Sequence, residues 1–265
     1  MTALAATAGS LARTGAVTAW HARTYKRVWR ATITTAFLNP IFFLLSIGVL
    51  LGSLVDDGQA DLGGLTYLEF VAPGLLAVTA MQLGTNDSTY PVMAGIKWLR
   101  TFHAVVATPV RVSELVFGGL AWSALRMLVA LVIFASIAAL GGAFVSPLAV
   151  IAPLAALLCG LAFAAPIAAF SGGLEDDSWI PALMRFGIIP MFLFAGTFFP
   201  VSQLPDWLEP VAWATPLWHG VTLCRDLTSG SIEALDTVVH VGYLLAWVVG
   251  GIVASIIVFR RRLMN

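Results

Sequence analysis

The sequence predicts an all-α integral membrane protein of about six spans, and three observations carry that reading. Of 265 residues, 59% are hydrophobic and 11% charged, with a mean hydropathy of +0.92. A soluble domain carries about 25% charged residues, because its surface faces water. Several separate stretches approach the roughly 20 apolar residues that a helix needs to cross the hydrocarbon core. Lysine and arginine concentrate in alternate loops, as they do where loops take opposite sides of a bilayer.

The elements follow in order. Residues 1–36 form an N-terminal segment. Within 16–36, Arg23, Lys26, Arg27 and Arg30 recur on one helical face, with Val17, Tyr25, Val28 and Trp29 on or near the other. That pattern suits an amphipathic helix in the cytoplasmic membrane interface; a solvated tail with topogenic charges is the plainer alternative. The first nineteen residues lack a basic start, an apolar run and an Ala-x-Ala site, so no cleaved signal peptide is expected.

Spans are expected near 37–55, 68–90, 114–140, 147–170, 182–199 and 237–259, forming one membrane domain over 37–259. A basic tail, 260–265, follows. The clusters Arg23 to Arg30, Lys97, Arg100 and Arg111, and Arg260 to Arg262 fall on one side of a six-span chain, which makes that side the cytoplasm and places both termini there. The opposite loops are acidic, with Arg225 as their one base. The loop holding Glu175, Asp176 and Asp177 lies on the basic side without a base, but acidic residues weigh little in topology.

Three features stand out. The segment from Lys97 to Ser113 sets Trp98, Leu99, Phe102, Val105 and Val106 among basic residues; Pro109 interrupts it and Ser113 is placed to cap the next helix. It suits docking to another protein, or an ordinary loop on lipid headgroups. Phe199 to Asp236 is too apolar for a free loop and too rich in proline for a span. With Phe199, Pro200, Leu204, Pro205, Trp207 and Pro216, it fits two short helices half-embedded at the outer interface, or a plain interfacial cap. Within the spans, Arg126 lies near mid-membrane and should face protein or water. If the second helix runs on to about residue 96, Asp87 reaches a similar depth and the two can pair, more as a structural bridge than as substrate ligands.

Catalytic signatures are absent from the sequence. His21, His103, His219 and His240 have no metal-ligand spacing, and no nucleophile elbow or His-Glu-x-x-His occurs. Cys159 and Cys224 are expected at different depths, unbridged. Zero net charge gives no hint of a nucleic-acid partner. The chain has no Gly-x-x-x-x-Gly-Lys-Ser/Thr loop, so it holds neither ATP nor its Mg²⁺ by that device.

The order of these segments resembles the membrane permease of type-2 ABC exporters, nearer to the NodJ-type permeases of nodulation-factor (lipooligosaccharide) export than to the daunorubicin-exporter permeases. The likeness covers nearly the whole chain. It rests on Asn39-Pro40, Tyr67 to Leu75, Ala107-Thr108-Pro109, Gly160 to Ala164, Phe198 to Pro205, Pro216-Leu217, Arg225, and Arg260 to Leu263. The resemblance implies a six-helix half-transporter in the plasma or inner membrane. It would pair with a second permease, identical or paralogous, and with an ATP-binding ABC subunit that supplies the hydrolysis. It implies that 16–36 is an elbow helix, that the ATPase-coupling segment falls within 91–110 and includes Lys97, Trp98, Leu99, Arg100 and Phe102, and that 199–230 forms paired outer re-entrant helices. Lipid-like, glycolipid or amphipathic drug substrates are implied as a class, with Phe192, Phe194, Phe198 and Phe199 offering them an apolar surface. The rival readings are an ion-coupled secondary transporter using Asp87 and Arg126, an intramembrane enzyme and a non-transporting scaffold.

Overall fold

A computed structural model of the chain describes residues 2–26, 42, 44, 46 and 64–264. Every regular element among these is helical. In order they are α1 (Thr2–Tyr25), α2 (Tyr67–Trp98), α3 (Thr101–Val106), α4 (Val112–Leu140), α5 (Pro147–Gly173), α6 (Trp179–Phe194), α7 (Glu209–Trp213), α8 (Pro216–Ser229) and α9 (Ala234–Leu263). Of these α2, α4, α5 and α9 are long and apolar enough to cross a membrane. The expected first span, 37–55, and residues 27–36 of the expected amphipathic helix lie outside the described residues, three isolated positions apart.

α1 starts well before residue 16, because the Ala-rich stretch ahead of it is itself helix-forming. It packs parallel to the first turns of α4. Arg13 forks onto Glu114 with Nε and Nη2 each 2.8 Å from a carboxylate oxygen. Val17 sits on Gly118, and Tyr25 meets Trp122 edge-on at 5.4 Å. Arg13, Val17 and Tyr25 thus meet Glu114, Gly118 and Trp122 in order along α4, so this face of α1 meets protein. Arg23 and Lys26 stay exposed, as their spacing predicts.

α2 begins on a reciprocal cap: the Thr66 hydroxyl accepts from Glu69 N at 3.4 Å, and Glu69 accepts from Thr66 N at 2.8 Å. It ends not near residue 90 but at Trp98, about 48 Å of helix at 1.5 Å per residue. Pro91 does not stop it, because the chain bends at Ser88–Thr89 and Pro91 falls in the first turn after the bend, where a missing N–H is no loss. α4 is capped at Arg111, whose backbone N donates to Glu114 at 2.8 Å, rather than at Ser113. α6 covers 16 residues, about 24 Å, and stops before the expected end at 199. Gly196 takes a left-handed conformation (φ +78°), and Pro200 follows, so the helix cannot continue.

α5 is the hub, packing on α2, α4, α8 and α9. Small residues let the backbones close. A Cβ on Gly84 of α2 would stand 2.3 Å from the Gly160 carbonyl oxygen, and one on Gly251 of α9 would stand 2.4 Å from Pro166 N. Most of α2 is buried, while α9 lies at the periphery with most of its length exposed.

Candidate functional site

The end of the bundle that carries the basic clusters is built around the turn from α2 to α3. The last turn of α2, Ala94–Trp98, is π-helical, and Arg100 turns the chain through a left-handed conformation (φ 51°) before α3. The result is a knuckle. Lys97, Trp98, Leu99 and Arg100 are all exposed, with Trp98 stacked on Tyr90 at 6.4 Å. Phe102 is not exposed with them. Its ring turns inward, 5.8 Å from the Phe259 ring, over a face of α2 that Gly95 keeps open. Docking by Phe102 does not fit that burial; it anchors the knuckle to α2 and α9 instead.

Beside the knuckle the acidic loop meets the basic tail: Arg262 donates to the Gly173 carbonyl at 2.5 Å and lies 3.6 Å from Glu175. Asp176 caps Ser178, and those hydrogen bonds hold its carboxyl below the usual range. Asp177 is exposed.

Deeper in the bundle, Asp87 and Arg126 form an ion pair between α2 and α4, and Ser123 donates to the second carboxylate oxygen at 2.7 Å. The long α2 makes this pairing possible, because Asp87 lies eleven residues before its end at Trp98. The Tyr25 ring of α1 covers the Arg126 guanidinium at 5.9 Å.

At the opposite end, the stretch after α6 folds back. Pro200 opens a short turn at Val201–Gln203, and Pro205 accepts from Leu208 N at 2.8 Å to start the approach to α7. Phe199 and Leu204 are half-buried, and Trp207 is exposed. Pro216 is the buried residue of this set, in the first turn of α8. α8 then runs antiparallel to α5. Its Pro216 carbonyl meets Cys159 Sγ at 4.0 Å, Cys224 Sγ meets the Ala152 carbonyl at 3.8 Å, and the Thr228 carbonyl accepts from Ser146 N at 2.8 Å. Since Cys159 is at the middle of α5 and Ser146 just before its start, α8 reaches from the end of the bundle to its middle. The two cysteines are buried, free and two turns apart.

Two contacts here were not visible in the sequence. Arg225 donates to the Gly196 carbonyl at 2.8 Å and to the Phe70 carbonyl at 3.3 Å, with its guanidinium 3.9 Å from the Phe70 ring centre. It staples α8 to the start of α2 and the end of α6. His219 and His240 meet with Nδ1 atoms 2.6 Å apart, so one ring donates and the other accepts, and Tyr243 stacks on His219 at 3.9 Å. Among the described residues no group of three or more His, Cys, Asp or Glu is arranged to hold a metal.

Comparison with known proteins places this architecture. The family model described as ABC-2 type transporter matches residues 13–227. Nodulation protein J of Rhizobium meliloti (strain 1021) is 31% identical over 242 residues, covering 91% of this chain and 90% of that protein. Nodulation protein J of Bradyrhizobium diazoefficiens is 30% identical over 245 residues, with 91% and 90% coverage. The inner membrane transport permease YadH of Escherichia coli (strain K12) is 21% identical over 228 residues, with 85% and 86% coverage.

Proposed function

We propose, starting from the fact that this chain belongs to the ABC-2 type transporter family, that it is the membrane permease of an exporter moving an amphipathic, lipid-like substrate outward. The chain is a multi-pass, all-helical membrane subunit, and ATP hydrolysis belongs to a separate subunit. In this reading the basic end faces the cytoplasm, six spans cross the membrane, and a second permease completes the path. The knuckle at Lys97 to Arg100 receives the ATPase, α7 and α8 are the outer re-entrant pair, and the aromatic residues at 192–199 line part of the route. Lipooligosaccharides and related glycolipids are the substrate class that the nodulation-protein relatives suggest.

The observation that carries the reading is the split at the knuckle. Trp98 is 54% and Leu99 70% exposed, while Phe102, three residues beyond Leu99, is 7% exposed and packed on Phe259 of α9. A large apolar pair held out on a rigid base is what a partner groove recognises. Force applied there passes into α2 directly and into α9 through Phe102 and Phe259.

The ion-coupled rival needs a carboxylate free to bind and release its ion. Asp87 is engaged by both Arg126 and Ser123, which counts against it.

The test is a double substitution, Trp98→Ala with Leu99→Ala, in the chain expressed with its ATPase. Export is expected to fall at least tenfold, with membrane insertion and thermal stability unchanged. Phe102→Ala is expected to act differently, costing about 3 kcal/mol of stability through the cavity it leaves. Full export by the well-assembled double variant would remove the knuckle from the coupling role.

A further inference from the structure

Between the knuckle and the Asp87–Arg126 pair lies a cavity of about 160 Å³ where α1, α2, α3, α4, α5 and α9 meet. Its polar wall is formed by Asp87, Ser123, Arg126 and His21, and its apolar wall includes Leu120, Phe102 and Phe259. Two polar atoms there are buried and make no hydrogen bond among the described residues: Arg126 Nε and His21 Nε2. A buried polar atom left unpaired costs about 1–3 kcal/mol, so each points to a group that fills the space, and of the two Arg126 Nε is a donor whatever the tautomer of His21.

The chemistry of that group follows from the walls. Arg126 Nε carries a hydrogen and has no lone pair to offer, so it needs an acceptor oxygen. The charges of Asp87 and Arg126 cancel, and burial pushes the His21 imidazole below its usual range, which disfavours its charged form. A cavity with no net charge disfavours a buried ion and favours an uncharged polar group. The rest of the wall is apolar and would hold a short hydrocarbon.

We infer that this cavity is a binding site for an uncharged amphiphile, whose hydroxyl or ester oxygen accepts from Arg126 Nε while its alkyl part packs on Leu120, Phe102 and Phe259. The occupant holds Phe102 from behind and so stiffens the base of the knuckle. The inference stands on the cavity alone and is independent of the transport reading.

Gly119 supplies the control. It lines the cavity, and a Cβ there would meet one atom within 4 Å, His21 Nε2 at 3.9 Å, so a leucine side chain has room to occupy the space. The experiment is photolabelling of the full chain in phosphatidylcholine vesicles with a diazirine analogue of 1-octanol, mapping adducts by mass spectrometry. Adducts are expected on residues at the cavity wall, such as Trp122 and Ser88. They should fall at least fivefold with excess 1-octanol and in Gly119→Leu, and much less with octanoate or octylammonium. Protection by monoolein added to the vesicles would identify a bilayer lipid as the source of the occupant. Protection by octanol without protection by monoolein would identify an amphiphile arriving from water. Should Gly119→Leu fail to fold, octanol competition in the unaltered chain decides alone. Adducts confined to the exposed face of α9, or cavity adducts that octanol does not reduce, would overturn the proposal; a cavity holding only water gives the first of these results.

Discussion

Gly84→Leu is expected to abolish accumulation of the folded chain, with the monodisperse peak in detergent lost to aggregate. At this crossing α2 and α5 touch backbone to backbone. A Cβ on Gly84 would stand 2.3 Å from the Gly160 carbonyl oxygen, and one on Gly160 would stand 2.8 Å from the Ala80 carbonyl. Neither obstacle is a flexible side-chain end that could swing away. Inserting even modest bulk into a packed core costs about 1–3 kcal/mol, and here α5 cannot retreat without disturbing α4, α8 and α9 as well. Gly84→Ala should keep some folded chain but lower its melting temperature. Gly250→Leu, on the exposed side of α9 where a Cβ meets nothing within 4 Å, is the matching control and should fold normally. A folded, monodisperse Gly84→Leu would show that the α2–α5 crossing is looser than described.

The second large effect is expected at the ion pair. Arg126→Met removes the partner of a carboxylate whose side chain is 13% exposed, and breaking a buried pair from one side costs about 3–5 kcal/mol. For a chain of this size that corresponds to a fall of about 6–20 °C in melting temperature. The double variant Asp87→Leu with Arg126→Met leaves no uncompensated charge, and should recover at least half of the loss. The thermal stability of the purified single and double variants, compared in the same detergent, measures this. A double variant no better than Arg126→Met would mean that the two side chains are not energetically coupled.

The helices and the site differ in how much of them could be read from residues alone. Long apolar runs such as 114–140 and 237–259 announce themselves, because a helix in lipid must satisfy its backbone internally and needs a fixed length. The continuation of α2 past Pro91 is not legible in the same way: the apolar pattern ends near residue 90, and the longer helix enters the sequence reading only as the condition under which Asp87 reaches the depth of Arg126. Charge placement gave Lys97 to Arg100 as a surface, and that surface is present. Phe102 was harder. An aromatic residue in a basic loop carries no mark of which way it faces, and its burial depends on Gly95 and Phe259, the latter more than 150 residues away. Arg225 and the His219–His240 pair are hidden for the same reason: their partners lie far off in the chain, at Phe70 and Gly196 for Arg225 and across α8 and α9 for the histidines, and no local periodicity reports such contacts. The end of α6 was misjudged because Phe198 and Phe199 prolong the apolar pattern, whereas the backbone is decided by Gly196 and Pro200.

The central claim, that this chain is the membrane half of an ATP-driven exporter, is tested most directly by what accompanies it. The tagged chain should be purified in mild detergent from its native membrane and the co-eluting proteins weighed by mass spectrometry. A nucleotide-binding ATPase present in about one-to-one ratio with the permease is the predicted result. A chain that elutes without any ATPase, under conditions that keep other membrane complexes intact, would contradict it.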